Sequence, residues 1–171
     1  MTDSIRFLKV NHVFGFMSNF YPAPTLFNDF LYPTNEHFYQ SIKFRGTPHE
    51  ITVREAPNAW MAMKWGRDSN FPLIQNWEVV KDDVMRFTVM TKFIQNPDIQ
   101  EQLVDTGEAI LIEHGKHDKY WADGGDGSGQ NRLGLILMEV REMFKLGLFE
   151  VLHYATWHMQ EIEKAAGVRL T

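Results

Sequence analysis

The 171-residue sequence contains no cysteine, so neither disulfides nor thiolate-bound zinc can hold the fold. It has no uninterrupted apolar run of the roughly eighteen residues that a membrane-crossing helix needs. The start, MTDSIRFLKVNHVF, lacks the basic-then-apolar pattern of a secretory signal. These absences lead us to expect a cytoplasmic protein with no membrane partner. Basic residues are not in excess either: 17 Lys and Arg stand against 22 Asp and Glu, for a net charge of −5. They are spread along the chain and do not form the stripe that tracks a nucleic-acid backbone. A small anionic ligand, held by two or three arginines and backbone N–H groups, remains compatible with this balance.

What the chain does have is bulk. Thirteen Phe, five Tyr, five Trp and nine Met can fill a core and leave aromatic rings for a cleft. The length suits one domain with a real hydrophobic interior. Residues 5–31 read as short strands and turns, punctuated by Gly15, Pro22 and Pro24, with a turn at FNDF. Thr34 then caps a helical segment, NEHFYQSIKFRG, with Glu36 in the first turn and Gly46 as its stop. Pro57 opens a second helix ending at Gly66. A longer one spans about residues 78–96, where Trp77, Val80, Val84, Phe87, Thr91 and Ile94 recur at three- and four-residue steps up to Pro97. The segment DIQEQLVDTG, the strand-like AILIEH and a helix over about 133–146 complete the pattern. In the tail, Phe149, Leu152, Trp157 and Ile162 have roughly helical spacing. The reading is a mainly α, single compact domain (α+β with a few short strands). Residues 1–148 form its body, and 149–171 a C-terminal helical extension packed on it.

Two segments stand out chemically. In HDKYWADGGDGSGQNRLG, four of the twelve glycines fall between Gly124 and Gly129, interleaved with Asp123 and Asp126. Free glycine N–H groups ahead of a helix can cradle an anion. The spacing nevertheless fits neither a P-loop, which needs Lys and Ser or Thr after its last glycine, nor GxGxxG, nor a calcium loop. A flexible connector is the plainer reading. In PTNEHFYQSIKF, Glu36, Gln40 and Lys43 fall at i, i+4 and i+7, one polar stripe opposite Phe38 and Ile42. Such a stripe is either a solvated face, or a carboxylate and an amine facing a cleft as acid/base and nucleophile. His114 and His117 form HxxH without a third ligand, so no metal is expected. Arg67, in WGR, reads as an exposed helix end or a phosphate contact.

The order of these segments carries more than any one of them. SNFYPAP, YPTNEHFYQSIKF, WGRD and the long stretch from NWEVVKDD through YWADGGDGSGQNRLGLILMEVRE resemble the NADAR superfamily, whose bacterial representatives are the YbiA-like N-glycosidases. The likeness covers about residues 14–145. It implies a mainly helical domain that hydrolyses N-glycosidic bonds without a cofactor or metal. One branch of the family releases ribose 5-phosphate from phosphorylated ribosylaminopyrimidines of early riboflavin synthesis, and another removes ADP-ribose from guanine bases in nucleic acid. By the same resemblance, Glu36 of PTxEH is the catalytic carboxylate and Lys43 of QxxKF forms an imine with the opened ribose. Asp126 completes the catalytic set by orienting sugar or water. Asn19, Arg67, Trp121, Asp123, Gly125, Gly127 and Asn131 are expected to bind substrate. Arg67, with Arg132 and the glycine N–H groups, would hold phosphate, while Trp121 or Tyr120 stacks on the base. Two positions depart from the pattern: Ala122 replaces a usual glycine, and Trp65 replaces a smaller aliphatic residue that would shape the pocket edge.

The expected reaction is thus hydrolysis of the C–N bond between ribose phosphate and an amino-pyrimidine riboflavin intermediate. The alternatives are an ADP-ribosyl-guanine glycohydrolase of the same superfamily and a non-catalytic module that binds NAD or ADP-ribose. A pure binder would have no use for Glu36, Lys43 and Asp126 together.

Overall fold

Alternation and periodicity in the sequence convert into four short strands and six helices in the part of the chain before residue 148. The computed structural model describes residues 3–147 and 159–169. In chain order these elements are β1 (Ser4–Phe7), β2 (Pro22–Phe27), β3 (Phe30–Thr34), α1 (Asn35–Ile42), α2 (Pro48–Arg54), α3 (Ala59–Gly66), α4 (Trp77–Gln95), α5 (Pro97–Asp105), β4 (Ile110–Glu113) and α6 (Arg132–Leu146). A single 3-10 turn, Gly15–Met17, lies between β1 and β2. The domain is mainly helical with two small sheets, as its periodicities imply.

Strands β2 and β3 pair antiparallel around Asn28 and Asp29, both at positive φ, the backbone a two-residue hairpin turn favours. This is the turn read from FNDF. The hairpin runs directly into α1, where the Thr34 hydroxyl accepts the His37 N–H. Strand β1 pairs parallel with β4, Phe7 opposite Glu113, so one end of that sheet delivers Glu113 beside α1. The longest helix, α4, buries Trp77, Val80, Val84 and Phe87 against Phe38, Tyr32, Leu111, Leu133 and Ile136 in one continuous core.

Helix α2 is absent from the sequence reading. Its seven residues start at Pro48 and bury only Glu50 and Val53, too short for a periodicity to register. It closes a second apolar cluster of Phe44, Val53, Ala56 and Ala62, with Trp65 packed against it. Of the tail, Phe149, Leu152 and Trp157 lie outside the described residues. Residues 159–166 are helical, with Ile162 and Ala166 inside the main core. No helix among the described residues is long and apolar enough to cross a membrane.

Candidate active site

The polar stripe of α1 is not solvated. Glu36 and Gln40 are 6% and 4% exposed, and with Lys43 they line a polar cleft of about 110 Å³. What covers the stripe is the end of α3. A Cβ on Gly66 would lie 2.2 Å from Gln40 Oε1, so any side chain at this crossing would push Gln40 aside. The Gly66 carbonyl, brought that close, accepts a 3.1 Å hydrogen bond from Lys43 Nζ. The same ammonium lies 5.5 Å from the ring centroids of both Tyr39 and Trp77. Burial pushes Lys43 down to about 8, against the opposing pull of Glu36. A large fraction is therefore the neutral, nucleophilic amine near pH 8.

Glu36 is held as a proton-transfer group would need to be. Its Oε1 accepts a 2.7 Å hydrogen bond from Gln40 Nε2. Burial raises its carboxyl above the usual range, while that hydrogen bond and Lys43 work in the opposite direction. Gln40 Oε1 is buried in the same cleft and has no hydrogen-bond partner among the described residues. A buried carbonyl without a donor costs about 1–3 kcal/mol.

Asn19 reaches the cleft from the loop before β2. Its carbonyl accepts the Glu36 N–H at 2.9 Å, and its side chain accepts from Asn35 at 2.8 Å and donates to Met85 Sδ. That loop rests on Lys92, 1% exposed, whose Nζ donates to the carbonyls of Phe16 and Ser18 at 2.6 and 3.0 Å. Burial pushes this ammonium down to about 7. Sequence reasoning passed over Lys92. The signal was present, because Lys92 follows Val84 and Thr88, both buried, at four-residue steps on α4.

The glycine-rich loop is built differently from an anion cradle. The N–H groups of Gly124, Gly125 and Gly129 donate to Asp118 O, Asp123 Oδ1 and Asp123 O respectively. Gly124 and Gly125, at φ +74° and +77°, let the chain fold back so that these bonds close. Asp123 is buried and hydrogen-bonded to His114 Nδ1 at 2.8 Å. Burial raises its carboxyl, but the bonds from His114 and the Gly125 N–H outweigh it and hold the group below the usual range. Asn131 bridges to β4, accepting the Glu113 N–H at 2.9 Å and donating to Leu111 O at 2.8 Å. Arg132 forks onto Asp82, which also accepts the Tyr120 hydroxyl.

The loop thus spends its polar groups on itself and presents a few side chains inward. Trp121 and Asp118 line the cleft. Asp118 Oδ1 accepts the N–H groups of Tyr120 and Trp121, and its Oδ2 lies 3.7 Å from Arg67. Of the residues anticipated from sequence, Glu36, Lys43, Asn19, Arg67 and Trp121 converge on the cleft. Asp123, Gly125, Gly127 and Asn131 do not line it. Asp126 is exposed and accepts the Ser128 N–H at 2.9 Å, on the loop's outer side. The structure also relocates Trp65, which packs on the second apolar cluster, while its neighbour Met63 lines the cleft.

Two acids in the cleft, Asp118 and Glu113, escaped the sequence reading. Glu113, the last residue of β4, reaches it from the strand end. Burial and the neighbouring Asp118, Glu36 and Asp123 push its carboxyl up to about 8, with Arg67 opposing. An acid closing an apolar strand, in AILIEH, was the available signal. The cleft therefore holds two carboxyls raised by burial and an amine brought down to about 8, a set able to move protons and to attack an electrophilic carbon. Among the described residues no group of three or more His, Asp or Glu is arranged to hold a metal.

Comparison with known proteins follows the same outline. The NADAR domain family matches residues 6–145. The N-glycosidase YbiA of Escherichia coli is 39% identical over 147 residues, covering 85% of this chain and 92% of that protein. A riboflavin biosynthesis protein of Vibrio vulnificus is 39% identical over 142 residues, covering 83% of this chain and 39% of that longer protein. The NMR structure of the E. coli protein YbiA superimposes with a TM-score of 0.78 at 39% identity, covering 85% of this chain and 88% of that one.

Proposed function

The chain belongs to the NADAR domain family, and from that premise we propose that it hydrolyses the N-glycosidic bond between ribose phosphate and an amino-pyrimidine, releasing ribose 5-phosphate. The observation that carries this reading is the placement of Glu36 and Lys43 in one cleft with Arg67 at its rim. Relatives named N-glycosidases and a relative named for riboflavin biosynthesis support the reaction class and the kind of base.

Breaking a C–N bond at the anomeric carbon builds positive charge on the sugar, which the Glu36 carboxylate is placed to stabilise. Where the glycosyl nitrogen is exocyclic, the ribose can open to an imine. The neutral Lys43 amine then adds at C1, the substrate amine departs, and the resulting lysine imine is hydrolysed by water. Glu36 moves the protons between these steps, fixed by Gln40. Arg67, with its side chain 58% exposed, is free to reach a 5′-phosphate, and Trp121 offers a ring to the substrate. Arg132 and the N–H groups of Gly124, Gly125 and Gly129, engaged within the protein, are left out of phosphate binding, and Asp126 takes no step.

The test is an HPLC–mass spectrometry assay against two substrates in parallel, the phosphoribosylaminopyrimidine and ADP-ribosylated guanosine. Release of ribose 5-phosphate from the first alone is the expected result. Release of ADP-ribose from the second alone would replace this substrate with the modified base. Folded protein silent on both, yet binding ADP-ribose in calorimetry, would turn the reading to a binding module.

A further inference from the structure

A cleft of about 110 Å³ is small for a two-ring substrate, since ligand sites usually span about 300–1,000 Å³. Next to it lies a groove of about 790 Å³, mostly apolar. Phe20 and Glu113 line both spaces and so form the threshold between them. Beyond it the groove offers Trp60, 55% exposed, with Leu8, Val10 and Pro57. These are faces for a flat ring, and they lie outside the polar cleft that suits a sugar.

We propose that this groove receives the departing base, and that Glu113 at the threshold is the acid that protonates the base as it leaves. The inference rests on the N-glycosidase reading above. The ribose lies among Glu36, Gln40 and Lys43, and the heterocycle passes Phe20 and stacks in the groove on Trp60. As the C1–N bond breaks, its electron pair goes to nitrogen and the Glu113 proton goes to the same atom. Water later supplies the hydroxyl at C1, and its other proton restores Glu113.

The surroundings of the two carboxyls separate their roles. Burial raises the Glu36 carboxyl, while the hydrogen bond from Gln40 and the nearby Lys43 work against that shift. The Glu113 carboxyl accepts no hydrogen bond among the described residues. Burial, with Asp118, Glu36 and Asp123 facing it and Arg67 opposing, pushes it up to about 8. Glu36 on the polar-cleft side and Glu113 at the threshold thus place two carboxyls around one reacting bond, the usual arrangement for cleaving glycosides.

The experiment compares wild type, Glu113→Gln and Trp60→Ala on the phosphoribosylaminopyrimidine. For Glu113→Gln we expect kcat to fall by about 10²–10⁴-fold with KM little changed, and the fall in wild-type kcat above about pH 8 to disappear from the variant's profile. Wild-type kcat in the variant, or a uniform loss that keeps the alkaline limb, would overturn the acid role. Should Glu113→Gln not fold, a wild-type kcat that stays flat above pH 9 would overturn it equally. Trp60→Ala should weaken binding of the free diaminopyrimidine by about tenfold or more in calorimetry, and leave ribose 5-phosphate binding unchanged. Equal base binding by both proteins would overturn the groove. That binding needs no turnover, so a wild type that binds the base yet cleaves nothing would defeat the reaction reading alone.

Discussion

The glycine-rich loop and helix α1 make opposite use of their polar residues. The loop displays the more conspicuous sequence, yet the N–H groups of Gly124, Gly125 and Gly129, with Asp123 and Asn131, are bonded within the protein. Helix α1 looks like an ordinary amphipathic segment, yet its polar face is buried and turned into the cleft. Polar groups that satisfy one another build a scaffold. Polar groups buried without a full set of partners, as at Gln40 Oε1, are available to a ligand. The loop's contribution is to set Trp121 and Asp118 at the rim and to pin Glu113 through Asn131.

Removing the nucleophile should separate the two regions most sharply. Lys43→Met is expected to lower kcat on the order of 10³-fold or more. In wild type the same amine should make activity rise as pH climbs toward about 8, because the neutral form grows as the ammonium loses its proton. A rate still rising steeply beyond pH 10 would indicate a lysine of ordinary basicity. Next in size, Glu36→Gln should cost about 10²–10⁴-fold in kcat with unchanged circular dichroism, and an unchanged kcat would remove α1 from the chemistry.

A third change acts on packing. Gly66→Ala places a methyl against Gln40 and should lower unfolding stability by about 1–3 kcal/mol in urea titrations, with a drop in activity as Lys43 loses its carbonyl partner. The smallest effect belongs to the loop's outer side. Asp126→Asn should alter kcat by less than about twofold. A loss matching that of Glu36→Gln would break the comparison and return the loop to catalysis.

How much of this was legible in the chain depends on the range of the interactions involved. The Thr34 cap, the FNDF turn and the long periodic helix α4 are local, and the sequence carried them directly. The stripe Glu36–Gln40–Lys43 was legible as a stripe, but whether it faced water depended on Gly66 arriving from 26 residues later. Nothing local encodes that contact. Glu113 and Lys92 were missed for the same reason: one acquires its acidic neighbours from α1 and the loop, the other its carbonyl acceptors from the turn at Phe16–Ser18. The glycine loop was ambiguous in the sequence, because its composition suits an anion cradle and a self-bonded turn equally well. Only the hydrogen-bond partners distinguish them.

In the proposed mechanism Lys43 on α1 attacks the sugar, which borohydride reduction during turnover of the phosphoribosylaminopyrimidine, followed by peptide mass mapping, would trap. A ribose-5-phosphate mass increment is expected on the peptide carrying Lys43, absent without substrate and absent in Lys43→Met. A fully active enzyme with no adduct, or with the adduct on a loop lysine such as Lys116 or Lys119, would contradict that mechanism.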